Sequence, residues 1–366
     1  MRVGVLGGGQ LGRMLALAGY RLGIQFRFFD PNSGAPVGQL GELIAAPYDD
    51  EAALARFCDG LDVATYEFEN VPLDAARFVA ERVKLYPPIQ SLEVAQHRLK
   101  EKEFFSSLGI PTPKYAPANS ADELAHALGV TGIPAVVKTV TMGYDGKGQV
   151  VVRDRSAAAS AWDAVGKRAV IVEEMVAFDR ELSMIGARDN DGREVYYPLI
   201  ENEHSDGILR VSRAPVHDVS LQLRGAAEDY VRRIFEKLDY IGVLAVEFFQ
   251  RGSELLVNEM APRVHNSGHW TIEGARTSQF ENHLRAILSL PMGEADAIGE
   301  AAMVNLIGET PPLQELLSIP GAHVHLYGKA ATERRKVGHI TLVGESARNV
   351  GTLAETLRRA FGTGTR

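Results

Sequence analysis

The chain opens on a short apolar run over residues 2–6, breaks into Gly7-Gly8-Gly9-Gln10-Leu11-Gly12, and resumes as a helical pattern from about residue 13 to 22. A second apolar run over 25–29 ends at Asp30. Strand, glycine turn, helix and strand in that order predict the start of a parallel α/β layer. The alternation continues in Asp62-Val63-Ala64-Thr65-Tyr66-Glu67-Phe68-Glu69-Asn70, where a strand runs into acids at the carboxyl edge of the sheet, the edge at which ligands collect. Past Tyr86-Pro87-Pro88 the pattern becomes a charged helix carrying His97, Arg98, Lys100 and Lys102, which Gly109-Ile110-Pro111-Thr112-Pro113 terminates. Residues 135–139 and 170–176 read as apolar strands, the first interrupted by Lys138 and the second by Glu173 and Glu174. Residues 243–249 and 254–260 read as the two strands of a hairpin, with turn chemistry in Arg251-Gly252-Ser253. After Leu290-Pro291-Met292-Gly293 the tail is β-like, with turns at Pro311-Pro312 and Pro320-Gly321.

With 366 residues and 45% hydrophobic content the chain exceeds one ordinary core and should divide into several domains. A net charge of −8 gives no general attraction to nucleic acid or to an anionic membrane, so an anionic ligand must be held by local cations. The single cysteine, Cys58, excludes an intramolecular disulfide and a cysteine-based zinc cluster; beside Phe57 it reads as a small core residue. The N-terminus shows no signal-peptide pattern and the chain no membrane-spanning run, so a cytoplasmic location is expected.

The densest chemistry lies in the hairpin and just beyond it. With an odd-numbered turn, Glu247 and Glu259 share one face of the paired strands, and two carboxylates held together repel unless a cation lies between them. Oxygen ligands of this kind, with the amide of Asn258 beside them, suit magnesium, which takes its remaining ligands from water and phosphates. Arg263, His265, Asn266, Ser267 and His269 follow directly, with His269 reading as a hydrogen-bonded core residue. A lysine in an apolar strand, Lys138, requires an anionic partner. Gly143, Gly146 and Gly148 leave the following loop able to close over a ligand, with Lys147 and backbone N–H groups turned inward. The N-terminal glycines have dinucleotide-fingerprint spacing and taken alone fit an NAD-linked dehydrogenase, although a glycine turn at a helix N-terminus serves any phosphate or carboxylate.

Together these motifs resemble the ATP-grasp superfamily, and within it the 5-(carboxyamino)imidazole ribonucleotide synthetases of purine biosynthesis. The likeness is carried by Gly7 to Arg13, Gly143 to Gln149, Glu173-Glu174, Asn258-Glu259, Arg263-Val264-His265-Asn266-Ser267-Gly268, Thr277-Ser278-Gln279-Phe280-Glu281, Tyr327-Gly328-Lys329 and Arg335-Lys336-Val337-Gly338-His339. It implies an ATP-grasp fold: a Rossmann-like domain over 1–95, a small lid domain with a linker helix over 96–175, a large α+β domain over 176–295, and a β-rich segment packed on it over 296–366.

The resemblance also implies the ligands. ATP is expected at Arg98, Lys138, Gly143, Tyr144, Asp145, Gly146, Lys147, Gly148, Gln149, Glu173, Glu174, Met175, Val176, Glu181, His204, Asn258 and Glu259, with two magnesium ions on Glu247 and Glu259. Gln10, Glu69, Tyr144, Asp145, Arg263, His265, Asn266, Ser267, Lys329, Arg335 and Lys336 are expected around 5-aminoimidazole ribonucleotide and bicarbonate, the last three reaching its phosphate. Lys138, Arg263 and His265 are expected to act in catalysis, with Asp145 as the base, and the protein to be a homodimer. The N-terminal glycine loop then faces the ribonucleotide and binds no NAD. In this family a glycine more often precedes the Arg-Lys pair, where this chain has Arg334, and an arginine is often found near Thr332. Two other ATP-grasp activities, formate-dependent ribonucleotide ligation and biotin carboxylation, share the acidic pair but differ in the His-Asn-Ser segment; a non-catalytic nucleotide-binding protein would not need so many charged groups.

Overall fold

The computed structural model describes residues 1–143 and 148–361. Among them the strands form three sheets. The first is parallel, ordered Glu42–Ile44, Gln25–Phe29, Arg2–Leu6, Val63–Tyr66. The second is antiparallel, ordered Tyr115–Ala118, Val170–Glu174, Ala135–Thr139, Gln149–Val152. The third has nine strands and begins at one edge with Glu254–Ala261, followed by Gly242–Arg251, Arg180–Arg188, Ile200–Ser205 and Ile208–Ala214. It continues without a break into Glu300–Ile307, Lys336–Gly344 and Ala322–Leu326, so the C-terminal strands extend the large sheet, and the ninth strand, Glu194–Tyr196, pairs with Arg180–Arg188 beside this path. The tail is not wholly β: helix Ala347–Phe361 ends it, burying Val350, Ala354 and Leu357 at helical spacing. Cys58, expected in the core, is only partly buried at the end of helix Glu51–Cys58.

The first helix runs Gln10–Tyr20, starting three residues earlier than the hydrophobic periodicity indicates. It packs its buried face, Leu11, Met14 and Leu15, into a core shared with Phe280 and Leu284 of helix Gln279–Ile287. This shared core sets the first sheet against the large one and so fixes the width of the cleft between them.

The hairpin closes with Arg251 opposite Glu254, leaving the two-residue turn Gly252-Ser253, with Gly252 at φ 59°. An even turn would place Glu247 opposite Asn258 and turn Glu259 to the other face. A bulge restores the parity: Glu247 pairs with Glu259 and Phe248 with Val257, which leaves Asn258 as the extra residue. The expected odd turn is therefore absent, yet the two acids still meet.

Gly19 is a point of close approach between the first helix and its surroundings, since a Cβ there would lie 2.5 Å from Phe26 Cζ and 3.0 Å from Leu284 Cδ1. Gly19→Val should therefore lower stability by about 1–3 kcal/mol through overpacking. Urea unfolding reads this directly, and an unchanged midpoint would contradict the packing described.

Candidate active site

A cleft of about 740 Å³ lies where the three sheets meet. From the first sheet it receives Gln10, Glu67, Glu69 and Asn70; from the small sheet and its loop, Lys138, Gly143 and Gln149. From the large sheet and the turn after it come Glu181, His204, Glu247, Asn258, Glu259, Arg263, His265, Asn266 and Lys336, and from the connecting helix Arg98 and Glu101. Of the other residues expected to touch ligands, Gly148, Glu173, Glu174, Met175, Val176, Ser267, Lys329 and Arg335 are not among the lining residues. Tyr144, Asp145, Gly146 and Lys147 lie outside the described residues.

Charge is distributed as paired cations and acids around the two facing carboxylates. Glu247 is 15% exposed and Glu259 43%. Burial, then repulsion from Glu259, lifts the Glu247 carboxyl to about 7. Arg98 bridges Glu259 at 3.2 Å and the Gly143 carbonyl at 3.0 Å, tying the acid to the chain after strand Ala135–Thr139. Asn258 adds a side-chain oxygen, Oδ1, that is buried and accepts no hydrogen bond among the described residues. Two carboxylates and an unsatisfied amide oxygen fit a hard divalent cation that keeps water and phosphate ligands. They do not make a closed cage, and no group of three or more His, Cys, Asp or Glu gathers as one among the described residues.

Lys138 finds its anion inside the protein. Its Nζ donates to Glu173 Oε2 at 2.9 Å, and Lys102 Nζ stands 3.8 Å from the same oxygen. Burial opposes the charge on Glu173, but these two lysines outweigh it and hold the carboxyl at about 2. Beyond Glu173 the strand ends: Glu174 faces Arg251 at 3.9 Å and Met175 is exposed.

On the opposite wall Arg263 pairs with Glu69, whose carboxyl is held at about 2 by that guanidinium in spite of burial. Gln96 Nε2 donates to the carbonyls of Glu69 and Val71, each at 2.8 Å, and so braces the acidic loop. His265 lies between the walls, its Nε2 3.5 Å from Glu247 Oε1. Burial, then the charges of Arg263 and Lys336, push this imidazole well below the ordinary histidine range, so it is neutral. Its position is fixed from three sides: Gln279 accepts from its backbone N–H at 2.9 Å and donates to its carbonyl at 2.6 Å, and Ser267 Oγ meets Nδ1 at 2.9 Å. Ser267 continues into a buried chain through Ser183, Asn202 and Ser212. Asn266 forms a reciprocal amide pair with Asn305. His269 is fully buried against Phe280 and His339, with Nδ1 3.5 Å from Gln279 Nε2 and Nε2 without a hydrogen-bond partner among the described residues, so the core position is as expected but the ring is only half satisfied. His204 Nδ1 meets Glu181 Oε2 at 2.8 Å; burial opposes its protonation, but that bond and Glu247 raise it.

The glycine turn is filled by the chain itself. Glu67 accepts from the N–H of Gly9 and, at 2.9 Å, from that of Gly12, while Asp30 accepts from Gly8 at 2.8 Å. These are the donors a dinucleotide pyrophosphate would need. They also satisfy the first helical turn, which explains its early start at Gln10. Gln10 accepts a bond from Lys329, linking the first sheet to the C-terminal segment. Arg335 is exposed on the loop before Lys336, and Arg334 adopts φ 65°, a conformation that favours glycine.

Sequence reading places Glu67 and Lys102 only as members of charged stretches and does not single out Glu101. The available signal is helical spacing, since Glu101, Lys102 and Phe105 share the buried face of helix Arg98–Ser107.

Three family models cover most of the chain: the ribonucleotide synthetase preATP-grasp domain over 1–96, the ATP-grasp domain over 103–280, and the phosphoribosylaminoimidazole carboxylase C-terminal domain over 301–352. The chain is 48% identical to the N5-carboxyaminoimidazole ribonucleotide synthase of Pseudomonas aeruginosa over 342 residues, 93% of this chain and 94% of that protein. The crystal structure of N5-carboxyaminoimidazole ribonucleotide synthetase from Thermus thermophilus superposes with a TM-score of 0.93 at 54% identity, covering 98% of each chain. The Aspergillus clavatus synthase in complex with ADP and 5-aminoimidazole ribonucleotide matches with a TM-score of 0.90 at 33% identity, over 98% of this chain and 97% of that one.

Two outcomes follow from the geometry. A carboxyl whose value is raised by folding favours the folded state while protonated, so Glu247 stabilises the ligand-free protein fully below pH 4.5 and loses that contribution as pH rises through about 7. Urea unfolding between pH 5 and 8 should show this decline, and Glu247→Gln should flatten it; an equal slope in both proteins would refute the assignment. With Glu67 and Asp30 on the glycine-turn donors, calorimetry with NAD or NADP should show no specific heat, and a micromolar site for either would contradict that arrangement.

Proposed function

The chain belongs to the N5-carboxyaminoimidazole ribonucleotide synthases, ATP-grasp ligases of purine biosynthesis, and on that footing we propose how its cleft divides the work. ATP lies against the small sheet, with Lys138, Gly143, Gln149 and Arg98 around its phosphates and Glu181, His204, Asn258 and Glu259 on the large-sheet side. The observation that carries this reading is the bulged pairing of Glu247 with Glu259 beside the unsatisfied Asn258 Oδ1. Magnesium held there by the two acids would screen the charge that phosphoryl transfer spreads over the phosphate oxygens.

A bicarbonate oxygen attacks the γ-phosphorus and ADP departs, leaving carboxyphosphate. Lys138 is already oriented by Glu173, so its ammonium meets the transferring group without reorganisation. Arg263 and the neutral His265 hold the carboxylate; because His265 has no positive charge, it can accept or donate one hydrogen bond without drawing phosphate away from Lys138. The exocyclic amine of 5-aminoimidazole ribonucleotide then forms the C–N bond to carboxyphosphate, or to carbon dioxide released from it, as phosphate leaves. Asp145 takes the amine proton. Gln10 and Glu69 meet the substrate from the first sheet.

Lys336 lines the cleft and Lys329 stands on Gln10, so these two are assigned to the ribonucleotide phosphate, with Arg335 at the rim. Glu173 serves as counter-ion to Lys138, and Ser267 and Asn266 act by holding the His265 turn. The small sheet is assigned as the lid. No helix of the described residues is long and apolar enough to cross a membrane, and a cytoplasmic homodimer is carried over from the family.

The test is release of ADP with and without bicarbonate and 5-aminoimidazole ribonucleotide. Both should be required, and Glu259→Gln should abolish turnover in a folded protein; near-normal turnover would remove the metal assignment. Lys336→Met should raise the Michaelis constant for the ribonucleotide about tenfold or more with ATP little affected, from loss of a charge-assisted contact. An equal loss for ATP would move Lys336 to the nucleotide side.

A further inference from the structure

The bulge that aligns Glu247 with Glu259 sits on the edge strand Glu254–Ala261, where one side of the backbone has no neighbouring strand among the described residues. An extra residue at such an edge disrupts the ladder and leaves backbone groups that must be answered from elsewhere. The helix Arg98–Ser107 and the segment after it answer them. Lys102 Nζ donates to the carbonyl of Asn258 at 2.7 Å and lies 3.5 Å from that of Val257. Glu101 Oε1 accepts from the N–H of Met260 at 2.8 Å, and the carbonyl of Pro111 accepts from the N–H of Val257 at 2.8 Å.

Lys102 is 1% exposed and Glu101 3%, a depth at which apolar side chains of similar volume would pack at no greater cost. What apolar side chains could not supply is a donor to the Asn258 carbonyl and an acceptor for the Met260 N–H on either side of Glu259. We propose that Lys102 and Glu101 are positioning residues that clamp the Asn258 bulge and thereby hold Glu247 and Glu259 in the one register where they face the same cation. The inference rests on the reading of those acids as magnesium ligands. Without the clamp, the two-residue turn favours regular pairing, in which Glu247 opposes Asn258 and Glu259 faces away. Each acts through the backbone on either side of a ligand.

The test uses the full chain with a non-hydrolysable ATP analogue and manganese, titrated by electron paramagnetic resonance, together with amide hydrogen exchange of the ligand-free protein. Lys102→Met keeps the apolar stem and removes the donor. It should weaken manganese binding roughly ten- to a hundredfold, the range for residues that orient metal ligands, and speed exchange at the Met260 amide. Glu101→Leu removes the acceptor together with a buried acid, and provides a second folded variant if loss of the ammonium beside Glu173 prevents Lys102→Met from folding. It should produce the same two changes. Native manganese affinity and native exchange in either folded variant would overturn the clamp. Glu259→Gln in the same titration separates the two readings. If it leaves manganese binding intact, the metal assignment fails; if it weakens binding while Lys102→Met and Glu101→Leu do not, the clamp alone fails.

Discussion

Two carboxylates on adjacent strands, brought face to face in a partly desolvated cleft, repel each other strongly enough that the surrounding protein must be organised to hold them there. Glu247 shows the consequence in a carboxyl lifted to about 7 by burial and by Glu259. A divalent cation would turn that repulsion into attraction, so the arrangement stores affinity for the metal within the folded protein. Arg98 and the Asn258 bulge both serve this one constraint, the first by partial neutralisation and the second by register.

Three other cations of the site are already held by polar partners before any ligand arrives. Lys138 stands on Glu173, Arg263 on Glu69, and Lys329 on Gln10. Such pairs hold a cation in place at moderate cost, and a phosphate or carboxylate entering the cleft meets side chains that need little reordering. The same logic explains the glycine turn. Its donors would attract a phosphate in a dinucleotide enzyme, but Glu67 and Asp30 occupy them, so the helix N-terminus becomes a fixed support for Gln10. Anion binding is thereby left to the cations around the cleft.

Much of this is legible in the sequence, and the parts that are not share a physical cause. Strands Arg2–Leu6, Gln25–Phe29 and Ala135–Thr139 follow from apolar runs and their flanking turns, and the meeting of Glu247 with Glu259 follows from a hairpin. The route to that meeting does not: the pattern predicts an odd turn, while the chain uses an even turn and a bulge, and no local residue pattern at Asn258 announces one. The occupation of the glycine turn is hidden because Glu67 is more than fifty residues from Gly9 in the chain and reaches it only across paired parallel strands. Helix Ala347–Phe361, by contrast, is legible in a tail whose other turns suggest β structure, since Val350, Leu353, Ala354, Leu357 and Phe361 recur at helical spacing. Arg335 lies exposed directly after the left-handed turn at Arg334.

The central claim is that Glu247 and Glu259 are paired to share a cation with ATP. Crystals grown with manganese and a non-hydrolysable ATP analogue, with data collected at the manganese absorption edge, test it most directly. The account predicts an anomalous peak between these two side chains, within about 2.0–2.3 Å of a carboxylate oxygen from each, as expected for a small divalent ion. A well-ordered nucleotide whose manganese lies away from both carboxylates would contradict it.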